Sequence, residues 1–186
     1  MVNIQILRSG FPDLKFFGNT FVALNLARYL PNGMLIANTT YGGLSLTDSI
    51  EWDLFAKNSM NFRMVHSPFG SQLQGYDIQG LRLEKIIGDC IEEEEVNVDF
   101  HFAERDSHEK TISHLPRLFR NKVKQFMHLH CSAELWARGG VIDKKVNIFE
   151  NLKRACGEGH IKRCIAVSHQ VKDSFAEYLD PQFIEV

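Results

Sequence analysis

No apolar run in the 186-residue sequence approaches the roughly 20 residues that a membrane-crossing helix needs. The N-terminus also lacks a charged segment followed by an apolar stretch, so no signal peptide is expected. Together these absences predict a soluble, cytoplasmic chain, with a peripheral contact at the inner face of a membrane left open. Basic residues are not in excess: 21 Lys and Arg stand against 23 Asp and Glu. Without a basic field, nucleic acid is not expected as a partner. The four cysteines, Cys90, Cys131, Cys156 and Cys164, form no C-x-x-C pair. A zinc knuckle and a dithiol redox motif are therefore not suggested, and the cysteines are read as small buried hydrophobes. Also missing are G-x-G-x-x-G, the P-loop, the G-x-S-x-G elbow and H-E-x-x-H. Those gaps argue against nicotinamide binding, P-loop chemistry, a triad hydrolase and a zincin. Accordingly, no cofactor and no metal site are predicted. No Pro/Gly/Ser-rich linker divides the chain, so one domain is expected.

What is present is an alternation. Apolar residues at 44% and charged residues at 24% are enough to build a core without disulfide staples. Strands are predicted over 3–8, 34–38, 61–66, 96–102, 123–130, 163–167 and 183–186. Between them lie helical patterns over about 20–30, around Leu83, Ile86, Ile87, Cys90 and Ile91, over 111–119, over about 146–156, and after Ser168. Pro31-Asn32-Gly33 stops the first helix, and Pro116 weakens the 111–119 helix. Gly157-Glu158-Gly159 precedes a strand and is read as a helix C-cap, not a nucleotide loop. Strands alternating with amphipathic helices predict an α/β fold: a Rossmann-like parallel sheet with helices on both faces. Ligands of such sheets bind beyond the carboxyl ends of the strands. That directs attention to the segments after Arg8, Asn38, Phe102, His130 and Val167.

Several residues there could carry function. Gly18, Asn19 and Thr20 lie where the first strand feeds a helix, a junction whose N–H groups favour anions; a plain β–α turn explains them equally. His130 ends the 123–130 strand, where a neutral imidazole can hydrogen-bond a sugar hydroxyl or a phosphate. His128 falls on the same side of that strand by alternation and is read as packed under a helix. Glu104 is either an acceptor for hydroxyls or, with Arg105 and Asp106, part of a solvated loop holding a surface ion pair. Ser168 can cap the next helix, with any ligand contact an addition.

In order along the chain, these pieces resemble the N-terminal domain of family 4 retaining glycosyltransferases of the GT-B fold. The opening 4–12 (IQILRSGFP), then Gly18-Asn19, then 22–30 (VALNLARYL) is similar to that family's strand, turn, Gly-Gly loop and "Leu-Ala-Arg-x-Leu" helix. Val98-Asp99 resembles the start of its "Asp-Val-Val-His-x-His" strand. Residues 123–130 resemble its strand ending in Thr-x-His. Residues 165–175 (IAVSHQVKDSF) are similar to "Ile-Ala-Val-Ser-x-x-Val-Lys-x-x-Phe", and 183–186 (FIEV) to the segment that follows. The departures are Asn19 at the second Gly, Phe102 and Glu104 at the paired histidines, and Cys131 after His130.

The resemblance implies transfer of a sugar from a nucleotide sugar to a glycan or lipid-linked acceptor, with retention and without an obligatory metal. It implies that Gly18, Asn19 and Thr20 face donor phosphates or acceptor, and that His130 contacts the transferring sugar. The donor-binding domain and the catalytic determinants would lie outside these 186 residues, so the chain is expected to continue beyond Val186 and none of its own residues is assigned as catalytic. Two alternatives remain: a non-catalytic partner subunit of a split transferase or a glycan-binding module, and a different enzyme on the same fold.

Overall fold

The computed structural model describes residues 1–9, 18–39, 61–66, 85, 87–90, 95–101, 106–119, 122–139 and 148–186. The elements run β1 (Val2–Ser9), α1 (Gly18–Tyr29), β2 (Gly33–Thr39), β3 (Asn61–His66), β4 (Val96–Phe100), α2 (Asp106–Phe119) and β5 (Val123–Leu129). They continue with α3 (Ala133–Gly139), α4 (Ile148–Gly157), β6 (Arg163–Ala166), α5 (His169–Ser174), a 3-10 turn (Pro181–Phe183) and β7 (Ile184–Glu185). Lys85 and residues 87–90 are also helical, within the predicted apolar pattern there.

All seven strands are parallel, in the order β3-β2-β1-β4-β5-β6-β7. The first six follow the doubly wound order, with the reversal between β1 and β4. The fold is thus the α/β, Rossmann-like sheet expected from the alternation. Register partners in a parallel pair share a face, which sorts the central strands cleanly. Ile4, Ile6, Val98, Phe100, Met127 and Leu129 project to one face and form its core. Asn3, Gln5, Asn97, Asp99 and His128 project to the other. Both sets are largely buried, so β1, β4 and β5 are covered on both faces.

Helix α1 begins two residues before the predicted start, which brings Gly18 and Asn19 into its first turn with Thr20. Its buried face carries Ala23 and Ala27. Asn32, at φ 49, reverses the chain into β2 in the left-handed conformation that Asn tolerates. Strand β4 stops at Phe100, before the predicted end. Helix α3 was not foreseen: its seven residues are too few to show a period. In it Trp136 is buried edge-on against Phe175, at 5.2 Å between centroids. After β6, Ser168 caps α5 as expected, accepting from the Val171 N–H. That helix ends at Ser174, with Phe175 as its C-cap, sooner than the apolar spacing suggested. Phe175 and Leu179 are still buried, because the turns that follow keep them over β6; Tyr178 lies exposed at 41% and stacks on Phe149. Pro181 opens a 3-10 turn instead of merely ending a helix, which shortens the predicted last strand to Ile184–Glu185.

Helix α2 is five residues longer at its N-terminus than predicted and runs through Pro116. Proline lacks the N–H that would bond the carbonyl four residues earlier, here Ile112. In place of that donor, Gln125 of β5 gives its Nε2–H to the Ile112 carbonyl at 2.8 Å. The same amide also donates to the His160 carbonyl at 2.9 Å, and its Oε1 has no partner among the described residues. A side chain on the neighbouring strand thus repairs the break in the helix. Gln125→Leu is expected to lower stability by about 1–3 kcal/mol, because two buried carbonyls lose a donor. In a Pro116→Ala background, which restores the helical N–H, the same change should cost about 1 kcal/mol less. Urea denaturation of the four proteins measures this; strict additivity would refute the compensation.

Candidate functional site

The site grows out of the polar face of the sheet. Asp99, in β4 beside Gln5 of β1, is 7% exposed yet carries a carboxylate. Gln5 Nε2 donates to Asp99 Oδ2 at 2.7 Å, and His128 Nε2 donates to Asp99 Oδ1 at 2.9 Å. Because the Gln5 amide nitrogen faces Asp99, its Oε1 is the acceptor for His101 Nε2–H at 2.7 Å. A neutral His101 protonated on Nε2 holds its lone pair on Nδ1, which accepts from His130 Nε2–H at 3.0 Å. By the same logic a neutral His128 holds its lone pair on Nδ1. One connected chain therefore runs from the buried carboxylate out to His130, just past the carboxyl end of β5.

Each member is placed by strand geometry. His101 follows β4 directly, its N–H bonded to the Ile6 carbonyl at 3.0 Å, so it continues the alternation of Asn97 and Asp99. His128 and His130 are two residues apart, hence on one side. The three rings form a triangle: His101 lies 4.4 Å from His128 and 5.2 Å from His130 between centroids, and His128 lies 6.0 Å from His130. His101 is 1% exposed and His128 6%, whereas His130 is half-buried.

Burial sets the protonation. It pushes the His101 pKa well below 6.5, helped by the neighbouring His128 and His130. Burial, then the charge of His128, lowers His130 to about 4. Both are neutral at pH 7, able to accept as well as donate. Among the described residues, His101, His128 and His130 are the set that could also ligate a metal ion.

Of the residues singled out in the sequence, His130 is brought into this cluster. Gly18, Asn19 and Thr20 form the first turn of α1, which follows β1 at the same sheet edge. Ser168 lies at the β6–α5 junction, where its hydroxyl oxygen accepts from the Val171 N–H at 3.2 Å. Glu104 lies outside the described residues. Gln5, Asp99 and His101 were missed as site residues; a Gln and an Asp at alternating strand positions expected to be buried were the available signal. The cysteines follow the bland expectation: Cys156 and Cys164 are buried with sulfurs 3.8 Å apart, and Cys90 and Cys131 are half-buried. No helix among the described residues is long and apolar enough to cross a membrane.

No protein-family model and no curated protein matches the chain. Among solved structures, the spore cortex-lytic enzyme SleL of Bacillus cereus is similar over 98% of this chain and 49% of its own, at 11% identity and a TM-score of 0.37. The chain thus spans about half the length of that structure.

The depressed histidines predict a pH dependence. An unfolded chain protonates both near 6.5, while the fold keeps them neutral, so their contribution is complete above about pH 6.5 and declines as pH falls toward 4. In metal-free buffer, urea midpoints should fall between about pH 7 and 4.5, and His130→Gln should flatten that slope. A slope that His130→Gln leaves unchanged would contradict the assignment.

Proposed function

We propose that the chain is the acceptor-side, N-terminal domain of a retaining GT-B glycosyltransferase. In that reading it works with a donor-binding domain, in the same polypeptide or a separate subunit. The observation that carries the reading is the position of His130. It stands past the carboxyl end of β5, where ligands of parallel sheets bind, and its ring is anchored by donation to His101 Nδ1 at 3.0 Å. That anchoring fixes the direction of the ring at the sheet edge. Two further points support it: the motif order resembling family 4, and the first turn of α1, carrying Gly18, Asn19 and Thr20, at the same edge. That turn offers backbone N–H groups suited to a phosphate or an acceptor oxygen.

The division of labour follows from what the chain carries. His130 would hold a hydroxyl of the transferring sugar, while cations that stabilise a leaving diphosphate would come from the donor-binding domain. The partners are a nucleotide sugar and a glycan or lipid-linked acceptor. The alternative, a glycan-binding or partner subunit without catalysis, uses the same edge.

The 186-residue chain by itself should turn over no nucleotide sugar but should bind acceptor glycans weakly, seen as saturation transfer in NMR. Once joined to its donor-binding domain, His130→Ala should reduce kcat/KM about 10-fold or more, as expected for loss of one hydrogen bond to substrate. Turnover by the chain alone would overturn the division of labour. Binding without turnover in the joined protein would favour the non-catalytic subunit.

A further inference from the structure

The three histidines have a second property that hydroxyl binding does not require. Their ligand nitrogens all lie within 4.8 Å of one another. Two of the rings are held from behind, on the nitrogen that would face away from an ion. His128 Nε2–H is fixed by Asp99 Oδ1 at 2.9 Å, and His101 Nε2–H by Gln5 Oε1 at 2.7 Å. Carboxylate or amide oxygen behind a ligating histidine sets its tautomer, aims the opposite lone pair, and raises its basicity. In both rings that lone pair is on Nδ1.

From this arrangement we propose that His101 Nδ1, His128 Nδ1 and a nitrogen of His130 form a three-histidine site for a divalent transition-metal ion of the Zn2+ type. Zinc bonds to imidazole are about 2.0–2.1 Å long, which places tetrahedral ligand atoms about 3.3 Å apart. His101 Nδ1 and His130 Nε2 are already 3.0 Å apart. Three rings around one ion have centroids about 5 Å apart on the same geometry, and the observed separations are 4.4, 5.2 and 6.0 Å. Small rotations therefore suffice, with the half-buried His130 the ring best placed to make them.

Charge balance points the same way. Asp99 is a buried carboxylate whose described side-chain partners are an amide and an imidazole. A dication one imidazole away places positive charge opposite that carboxylate. All three donors are imidazoles, a set that suits Zn2+ over Mg2+ or Ca2+, which prefer oxygen. On binding, His130 moves its proton from Nε2 to Nδ1, and its hydrogen bond to His101 is replaced by two bonds to the ion. His130, neutral at pH 7, releases no net proton in this step. A fourth position on the ion is left for water or for an oxygen of a ligand at the sheet edge. The site stands on these residues alone and does not depend on the transferase reading.

The test uses the untagged 186-residue chain, stripped with EDTA and held at pH 7.5. Calorimetric titration with ZnCl2 should show one equivalent bound with Kd below about 1 µM. Co2+ should give the strong visible absorption of a tetrahedral site. His130→Ala should weaken zinc at least 10-fold with an unchanged circular dichroism spectrum, and Asp99→Asn about 10–100-fold. X-ray absorption of the wild-type zinc complex should count three imidazoles, a readout that needs no variant to fold. Absence of stoichiometric uptake, affinity unchanged by either substitution, or a first shell with sulfur or fewer than three imidazoles would overturn the proposal.

Discussion

The buried carboxylate of Asp99 is the constraint around which the polar half of the sheet is arranged. A lone charge in that position would cost several kcal/mol, so it persists only with donors in place. Gln5 and His128 supply them from the strands on either side, β1 and β5. Their commitment then decides everything outward. Gln5, with its amide nitrogen spoken for, offers only its oxygen to His101. His101, with Nε2–H given to Gln5, offers only Nδ1 to His130. Register does the rest, since Gln5 opposes Asp99 and the polar residues of β1, β4 and β5 share a face. A one-residue slip of any of these strands would send the network into the apolar core on the other face.

The opposite face shows how one polar side chain can be recruited for structure alone. Gln125 sits among Val123, Met127 and Leu129, where an apolar residue would be the default. It is there because Pro116 removes a donor from α2 and leaves the Ile112 carbonyl exposed to the core. The C-terminal end of the sheet is held by different means. Phe175 is buried under the edge of Trp136 and beside Phe149, and Phe149 stacks on Tyr178 at 4.0 Å. Aromatic packing there ties α3, α4 and the turn after α5 to one another. The buried Cys164 thiol, pushed up by its hydrogen bond with Cys156 and by burial, belongs to this apolar lining and not to the chemistry of the edge.

Local pattern was enough to read most of the elements. Alternation in β5, the i, i+3, i+4 spacing of Ala23, Leu26 and Ala27, and the Ser168 cap each depend on neighbours within a turn or a strand, and all are visible in the primary structure. The parallel, doubly wound sheet followed from the alternation of those elements, because short crossovers of one hand admit few arrangements. His130 could be singled out for the same reason: its place at a strand's carboxyl end is a local property. What local pattern misjudged were features whose cause lies elsewhere in the chain. The length of α2 depends on a glutamine in β5, and the short α3 depends on Trp136 meeting Phe175.

The amino-acid order by itself thus determined the periodicities, the caps and the α/β class, since each is settled by residues close in sequence. Tertiary structure alone decided that His101, His128 and His130 converge, that Gln5 and Asp99 set their tautomers, and that burial keeps His101 and His130 neutral. Gln5 and Asp99 are 94 residues apart, and His101 and His130 are 29 apart. Strand pairing closes those separations, and no local pattern reports it.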